Sequence, residues 1–137
     1  MTTFLTKIIN EVWLKRLIIQ LWQTAAAEPD MAVTPFLMAS TAAALDMHVE
    51  VHIIGGNIEM FVKNNEGRHQ TIPPMNRRLS DFIDDAIRTG VKFYPCSTAM
   101  RDRNLQLSDL IEGVGEIIGM VTMLDRATQD NTTVLTF

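Results

Sequence analysis

The chain has 137 residues, 47% of them hydrophobic and 20% charged, and a formal net charge of −4. This is enough for one domain with a real core; it excludes a disordered polymer, and the acidic balance argues against a nucleic-acid surface. A single cysteine excludes a disulfide framework and a thiolate zinc site, and suits a reducing compartment, the cytoplasm.

Residues 1–14 come first. Phe4, Leu5, Ile8, Ile9, Val12 and Trp13 recur at helical spacing opposite Thr6, Lys7, Asn10 and Glu11. This predicts an amphipathic helix that packs on its own domain or makes an oligomer contact. Its polar face mixes Lys7 and Lys15 with Glu11, so it lacks the strongly basic character of a membrane-surface helix. The run Leu17–Trp22 is broken by Gln20 and is too short for a secretory leader. Lys7, Asn10, Glu11, Lys15 and Arg16 interrupt any stretch near the ~20 apolar residues of a spanning helix.

Residues 15–137 read as a single α/β domain. Lys15–Gln23 is the first strand and Thr24–Asp30 a loop. A helix follows to about Met47, starting at Thr34-Pro35 or near Asp30 with a kink at Pro35. Phe36–Leu45 is apolar or small nearly all round, which predicts burial on more than one side, against the sheet and against another subunit. In His48–Ile54, Val49, Val51 and Ile53 alternate with His48, Glu50 and His52, the period of a strand. Gly55-Gly56 ends it. Asn57–Lys63 is a short helix, and Asn64–Arg78 is a long, polar connection: a lid, an interface arm or a disordered segment. In the helix Ser80–Thr89, Phe82, Ile83, Ala86 and Ile87 oppose Asp81, Asp84, Asp85 and Arg88, with Ser80 as N-cap and Gly90 as the stop. Val91–Pro95 is the third strand and leads to Cys96. Ala99–Asn104 and Ser108–Glu112 are short helices, and Gly115–Ile118 is a brief fourth strand. Met120–Thr128 is a helix with Val121, Leu124 and Thr128 on one face, and Thr132–Phe137 is the last strand. Strands alternating with helices imply a mostly parallel sheet, right-handed crossovers and helices on both faces.

The chemistry centres on Cys96. It lies at a strand's carboxyl end, where open α/β sheets collect ligands. The residue types leave two readings, a buried structural cysteine and a reactive thiol. A following helix and the nearby Arg101 and Arg103 would stabilise a thiolate. No pattern ties a histidine to Cys96 as a base, so a papain-like hydrolase is unsupported. A pocket is expected around the thiol, walled by the loop near Thr24 and by Gly55 and Gly56, with Ser97 and Thr98 donating hydrogen bonds. Asn64–Arg78, with Arg68, Arg77 and Arg78, would fold over it to meet an acidic partner. His48, Glu50 and His52 suggest a metal, but strand residues two apart are ~6.5 Å apart and four apart ~13 Å, so both histidines cannot reach one ion. They read instead as a polar strand face. Gly55-Gly56 lacks the pattern of a nucleotide loop and reads as a tight turn. The sequence calls for no metal and no cofactor.

From about Lys15 to Phe137 the chain resembles the DsrE/DsrF-like family of small sulfur-relay proteins. The resemblance rests on an ordered set of segments: Pro35-Phe36-Leu37-Met38-Ala39 with Ala42–Leu45; Val49–Gly56; Gly90–Cys96; Leu110–Val114; Ile118-Gly119; and Thr133–Phe137. It implies a three-layer α/β/α domain with a five-stranded, mostly parallel sheet, assembled as a homotrimer or hexamer. It also implies a sulfur carrier or sulfurtransferase that holds sulfane sulfur as a persulfide on Cys96 and passes it from donor to acceptor protein. The alternative is a non-catalytic oligomeric interaction module or thiol redox sensor. The chain departs from the family in its residues 1–14, in Asp46-Met47-His48 where a glycine is usual, in the long Asn64–Arg78 loop, and in lacking a second, resolving cysteine.

Overall fold

A computed structural model describes residues 14–23, 29–73 and 76–137, with 29 and 30 described by backbone alone. The elements run β1 (Arg16–Leu21), α1 (Pro29–Ala44), β2 (His48–Ile53), β3 (Thr71–Ile72), β4 (Arg77–Arg78), α2 (Leu79–Arg88), β5 (Lys92–Pro95), α3 (Ser97–Asp102), α4 (Met120–Ala127) and β6 (Thr132–Thr136). Tight 3-10 turns occupy Gly55–Phe61, Glu66–His69 and Leu107–Asp109; short helices were expected at Asn57–Lys63 and Ser108–Glu112. The helix expected over residues 1–14 falls, up to Trp13, outside the described residues, as does Thr24.

The main sheet is parallel throughout, in the order β5-β2-β1-β6. Among the described residues, four full strands stand where five were expected. The missing one survives outside β5 as two isolated parallel bridges, Val114 to Phe93 and Ile118 to Cys96. The Gly115 N–H donates to the Phe93 carbonyl at 2.8 Å and the Ile118 N–H to the Pro95 carbonyl at 3.0 Å. Glycines at 113, 115 and 119 leave too few packed side chains to hold a regular strand there.

Strand alternation sorts the side chains onto two faces. One face carries Leu17, Ile19, Leu21, Val49, Val51, Ile53 and Phe93, all buried. Ala32, Val33, Phe36, Ala39 and Ala42 of α1 are buried with them. Phe36, Phe61 and Phe93 meet with ring centroids 5.4 to 6.3 Å apart, and burial of each such side chain contributes about 1.5–3 kcal/mol. α1 starts at Pro29 and keeps Pro35 inside it, so the earlier of the two expected starts is correct. Among the described residues, helix α1 is buried on one side only. Met31, Leu37, Met38 and Leu45 are exposed, because nothing in the described residues covers its outer side.

The long 64–78 connection is not a lid. Thr71–Ile72 and Arg77–Arg78 pair as a small antiparallel ribbon, and the segment rests on α2. Its basic groups are engaged within the chain: the Arg68 Nε donates to the Met60 carbonyl at 3.0 Å, Arg77 pairs with Asp85 and lies over the Phe82 ring, and Arg78 pairs with Asp81. Helix α2 begins at Leu79, one residue before the expected cap. Asp81 accepts from the Arg78 N–H at 2.9 Å, and Ser80 is buried beside His69 instead of capping. No helix among the described residues is long and apolar enough to cross a membrane.

Candidate functional site

Cys96 follows the last residue of β5 and precedes the first of α3, at the carboxyl edge of the sheet. Its N–H donates to the Ile53 carbonyl at 2.9 Å, and its carbonyl accepts from the Met100 N–H at 3.1 Å. Pro95 and Ile118 hold it from the far side through the bridge already described. With φ −72° and ψ 132° the strand alternation continues through it, so its side chain leaves on the same face as Tyr94, opposite Phe93. The residue is 2% exposed and joins the apolar cluster that includes Ala99, Met100, Ile118 and Met123. A shallow pocket was expected around the thiol; the residue is buried.

The other expected site residues divide. Gly55 (φ +61°) and Gly56 turn the chain at the end of β2, beside Cys96 across the Ile53 hydrogen bond. The Ser97 N–H is taken by the Ile118 carbonyl at 2.9 Å, and its hydroxyl lies over Gly119, so its backbone does not serve the sulfur. The Cys96 side chain makes no cap hydrogen bond to the first turn of α3. Thr98 is exposed, and Arg101 is exposed in the last turn of α3. Arg103 lies over Gly56 and sits 3.5 Å from Glu59.

The sheet face that carries Cys96 also holds a buried ionic network. Glu50 is 8% exposed and His52 is 0% exposed. Glu50 Oε2 meets His48 Nε2 at 3.1 Å; Glu50 Oε1 meets His52 Nε2 and Arg126 Nη1, each at 3.0 Å. Arg126, from α4, also lies over the Tyr94 ring at 4.6 Å, and Tyr94 packs edge-on against His52. Burial pushes the Glu50 carboxyl up, but the hydrogen bonds from His52, His48 and Arg126, with the charge of Arg126, outweigh it and hold the group down to about 2. The strand spacing that keeps the two histidines from sharing an ion places a carboxylate between them. Arg126 was missed in the sequence, where α4 reads as a helix with Val121, Leu124 and Thr128 on one face. In the structure Met123 and Arg126 face inward and Val121 is 84% exposed.

Among known proteins, the DsrE/DsrF-like family model matches residues 17–137. The chain belongs to the DsrE/DsrF-like family. It is similar to the uncharacterized protein MJ0760 of Methanocaldococcus jannaschii, at 24% identity over 110 residues covering 79% of this chain and 38% of that protein. The chain therefore spans about two fifths of that relative's length. Its fold is similar to that of MTH1491, a protein of unknown function from Methanobacterium thermoautotrophicum. The TM-score is 0.66 and the identity 16%, covering 90% of this chain and 99% of that one. The ychN protein of E. coli matches with a TM-score of 0.63 and 15% identity, again covering 90% and 99%.

Within the DsrE/DsrF-like frame, the departure after α1 has a local explanation. Asp46 adopts φ +62°, the left-handed conformation that a glycine takes without strain and that aspartate tolerates better than most residues.

Proposed function

We propose that this DsrE/DsrF-like protein is a sulfur carrier that holds sulfane sulfur on Cys96 and hands it to a partner protein. The observation that carries the reading is the place of the thiol: the chain's only cysteine, at the carboxyl end of β5, an outermost full strand of the parallel sheet, in a member of this family. A thiolate attacks the outer sulfur of a persulfide donor, the donor's S–S bond breaks, and the new bond forms at Cys96 Sγ. An acceptor thiol then removes the outer sulfur by the same exchange, so one cysteine suffices. Because Cys96 is 2% exposed, loading runs through a state in which the cover of the thiol opens. A closed resting state also keeps a persulfide from water and stray thiols.

The assembly is a homo-oligomer, built on trimers as the family resemblance implies. The support is exposed apolar surface on both sides of the sheet: Leu37 and Met38 on α1, Met120, Val121 and Leu124 on α4.

Intact-mass measurement after incubation with a persulfide donor tests the carrier role. The wild type gains one sulfur atom and Cys96→Ser gains none. The burial of Cys96 favours one rival, an oligomeric interaction module with an inert core cysteine. That rival predicts no sulfur gain, and alkylation of Cys96 only on unfolding.

A further inference from the structure

We propose that His52 is the general base for the Cys96 thiol and that Glu50 holds it in that role. The inference rests on the carrier reading above and adds to it the group that takes the thiol's proton.

The placement comes from the sheet. β2 turns His48, Glu50 and His52 to the face that receives α4, and β5 turns Tyr94 and then Cys96 to the same face. The register sets His52 beside Tyr94. Cys96 is thus one strand over and two residues further toward the carboxyl edge, an offset of roughly 7 Å along the strand.

The orientation comes from the ring. Glu50 is ionised, so it accepts only, and His52 Nε2 must be the donor across their 3.0 Å contact. In the neutral ring Nδ1 then carries the free lone pair. That atom is buried and has no hydrogen-bond partner. The two nitrogens lie on opposite sides of the ring. With Nε2 turned back along β2 to Glu50, Nδ1 is turned toward the carboxyl end of β2, the level of Cys96. The other buried side-chain atom without a partner among the described residues, Asn57 Oδ1, also lies just past that end of β2. A carboxylate, an imidazole fixed by it and an idle ring nitrogen facing the level of a thiol make up an activated-nucleophile relay. No hydrogen bond joins Nδ1 to the sulfur at rest; such contacts tighten when the reactant enters.

In the step, Nδ1 takes the proton of Cys96 Sγ as the thiolate attacks the outer sulfur of a persulfide R–S–SH. The Sγ–S bond forms, the donor's S–S bond breaks with its electron pair going to R–S⁻, and that thiolate recovers the proton from Nδ1–H. Sulfur is transferred with no net oxidation. The imidazolium formed between these events is paired with Glu50. The charged and titratable groups on this face are Glu50 and His48 on β2, Tyr94 and Lys92 on β5, Arg126 on α4 and Arg16 on β1.

His52→Gln keeps a donor for Glu50 and removes the base. The test measures two rates from pH 6 to pH 10 in wild type and variant: alkylation of Cys96 by iodoacetamide, and sulfur uptake from glutathione persulfide. Circular dichroism checks the fold. The expected result at pH 7 is a loss of at least tenfold in both rates. The gap closes toward pH 10, where a thiol ionises without help. A purely structural role would not move the pH profile in this way. Equal rates with parallel profiles overturn the assignment. Wild type that takes up no sulfur but shows a His52-dependent alkylation profile sinks the carrier reading and keeps the base. If His52→Gln fails to fold, Glu50→Gln replaces it. That variant keeps the imidazole but loses its anion; it should slow alkylation several-fold at pH 7, and an unchanged profile overturns the assignment.

Discussion

Glu50 shows how a residue's environment fixes its charge. Three donors converge on a carboxylate that is 8% exposed, and its pKa falls from 4.5 to about 2. The folded-state value is depressed, so the stability it gives is present above about pH 4.5 and is lost as pH falls toward 2. Its size is on the order of 3 kcal/mol, of which about 2 kcal/mol is gone at pH 3. Urea denaturation at pH 6 and pH 3 checks this. The stability gap between wild type and Glu50→Gln should narrow by about 2 kcal/mol at the lower pH; a gap that stays constant contradicts the network. At this scale the sequence was half legible. Strand period put His48, Glu50 and His52 on one face and ruled out a shared ion. It could not show that Arg126 closes the network, because that contact spans most of the chain and depends on the rotation of α4. It placed Cys96 at the strand end but not its burial, which depends on packing between segments far apart in the sequence.

Elements were legible where a pattern ran long enough to fix a face. α2 shows Phe82, Ile83 and Ala86 buried against the exposed Asp84 and Arg88, as its period required. Helix α4 misled because its apolar residues lie on the outside: Val121 and Leu124 face solvent while the single buried residue, Met123, faces the sheet. Periodicity reports a stripe, not what covers it. The turn into the rudimentary fifth strand depends on Gly113, at φ +92°. A Cβ there would meet Ile87 Cγ2 at 2.7 Å and Cδ1 at 2.9 Å. Gly113→Ala therefore combines left-handed strain with a clash against α2 and should cost about 2–4 kcal/mol by chemical denaturation. Adding Ile87→Ala should remove the extra cost of the clash and leave the strain. If Gly113→Ala is as stable as wild type, the contact between this turn and α2 is wrong.

For the whole molecule, alternation of strands and helices was enough to give the parallel α/β architecture, and the ordered segments from Pro35 to Phe137 carried the family resemblance. It overestimated the strand count by the two-bridge segment at 114–118, where glycines thin the packing. The proposed assembly would cover surface that one chain leaves exposed. Light scattering at micromolar concentration should give a mass built on trimers, and the double variant Val121→Glu, Leu124→Glu should lower it while the circular dichroism stays unchanged. A wild-type monomer at those concentrations would remove the oligomer from the account. The central claim is that Cys96 carries transferable sulfur. The most direct measurement maps the trypsin peptide Phe93–Arg101, which holds the chain's only thiol, by mass after loading with a persulfide donor and again after a chase with excess thiol. The account predicts one added sulfur on that peptide after loading and none after the chase; a peptide of unchanged mass at both points, with the native fold intact, contradicts it.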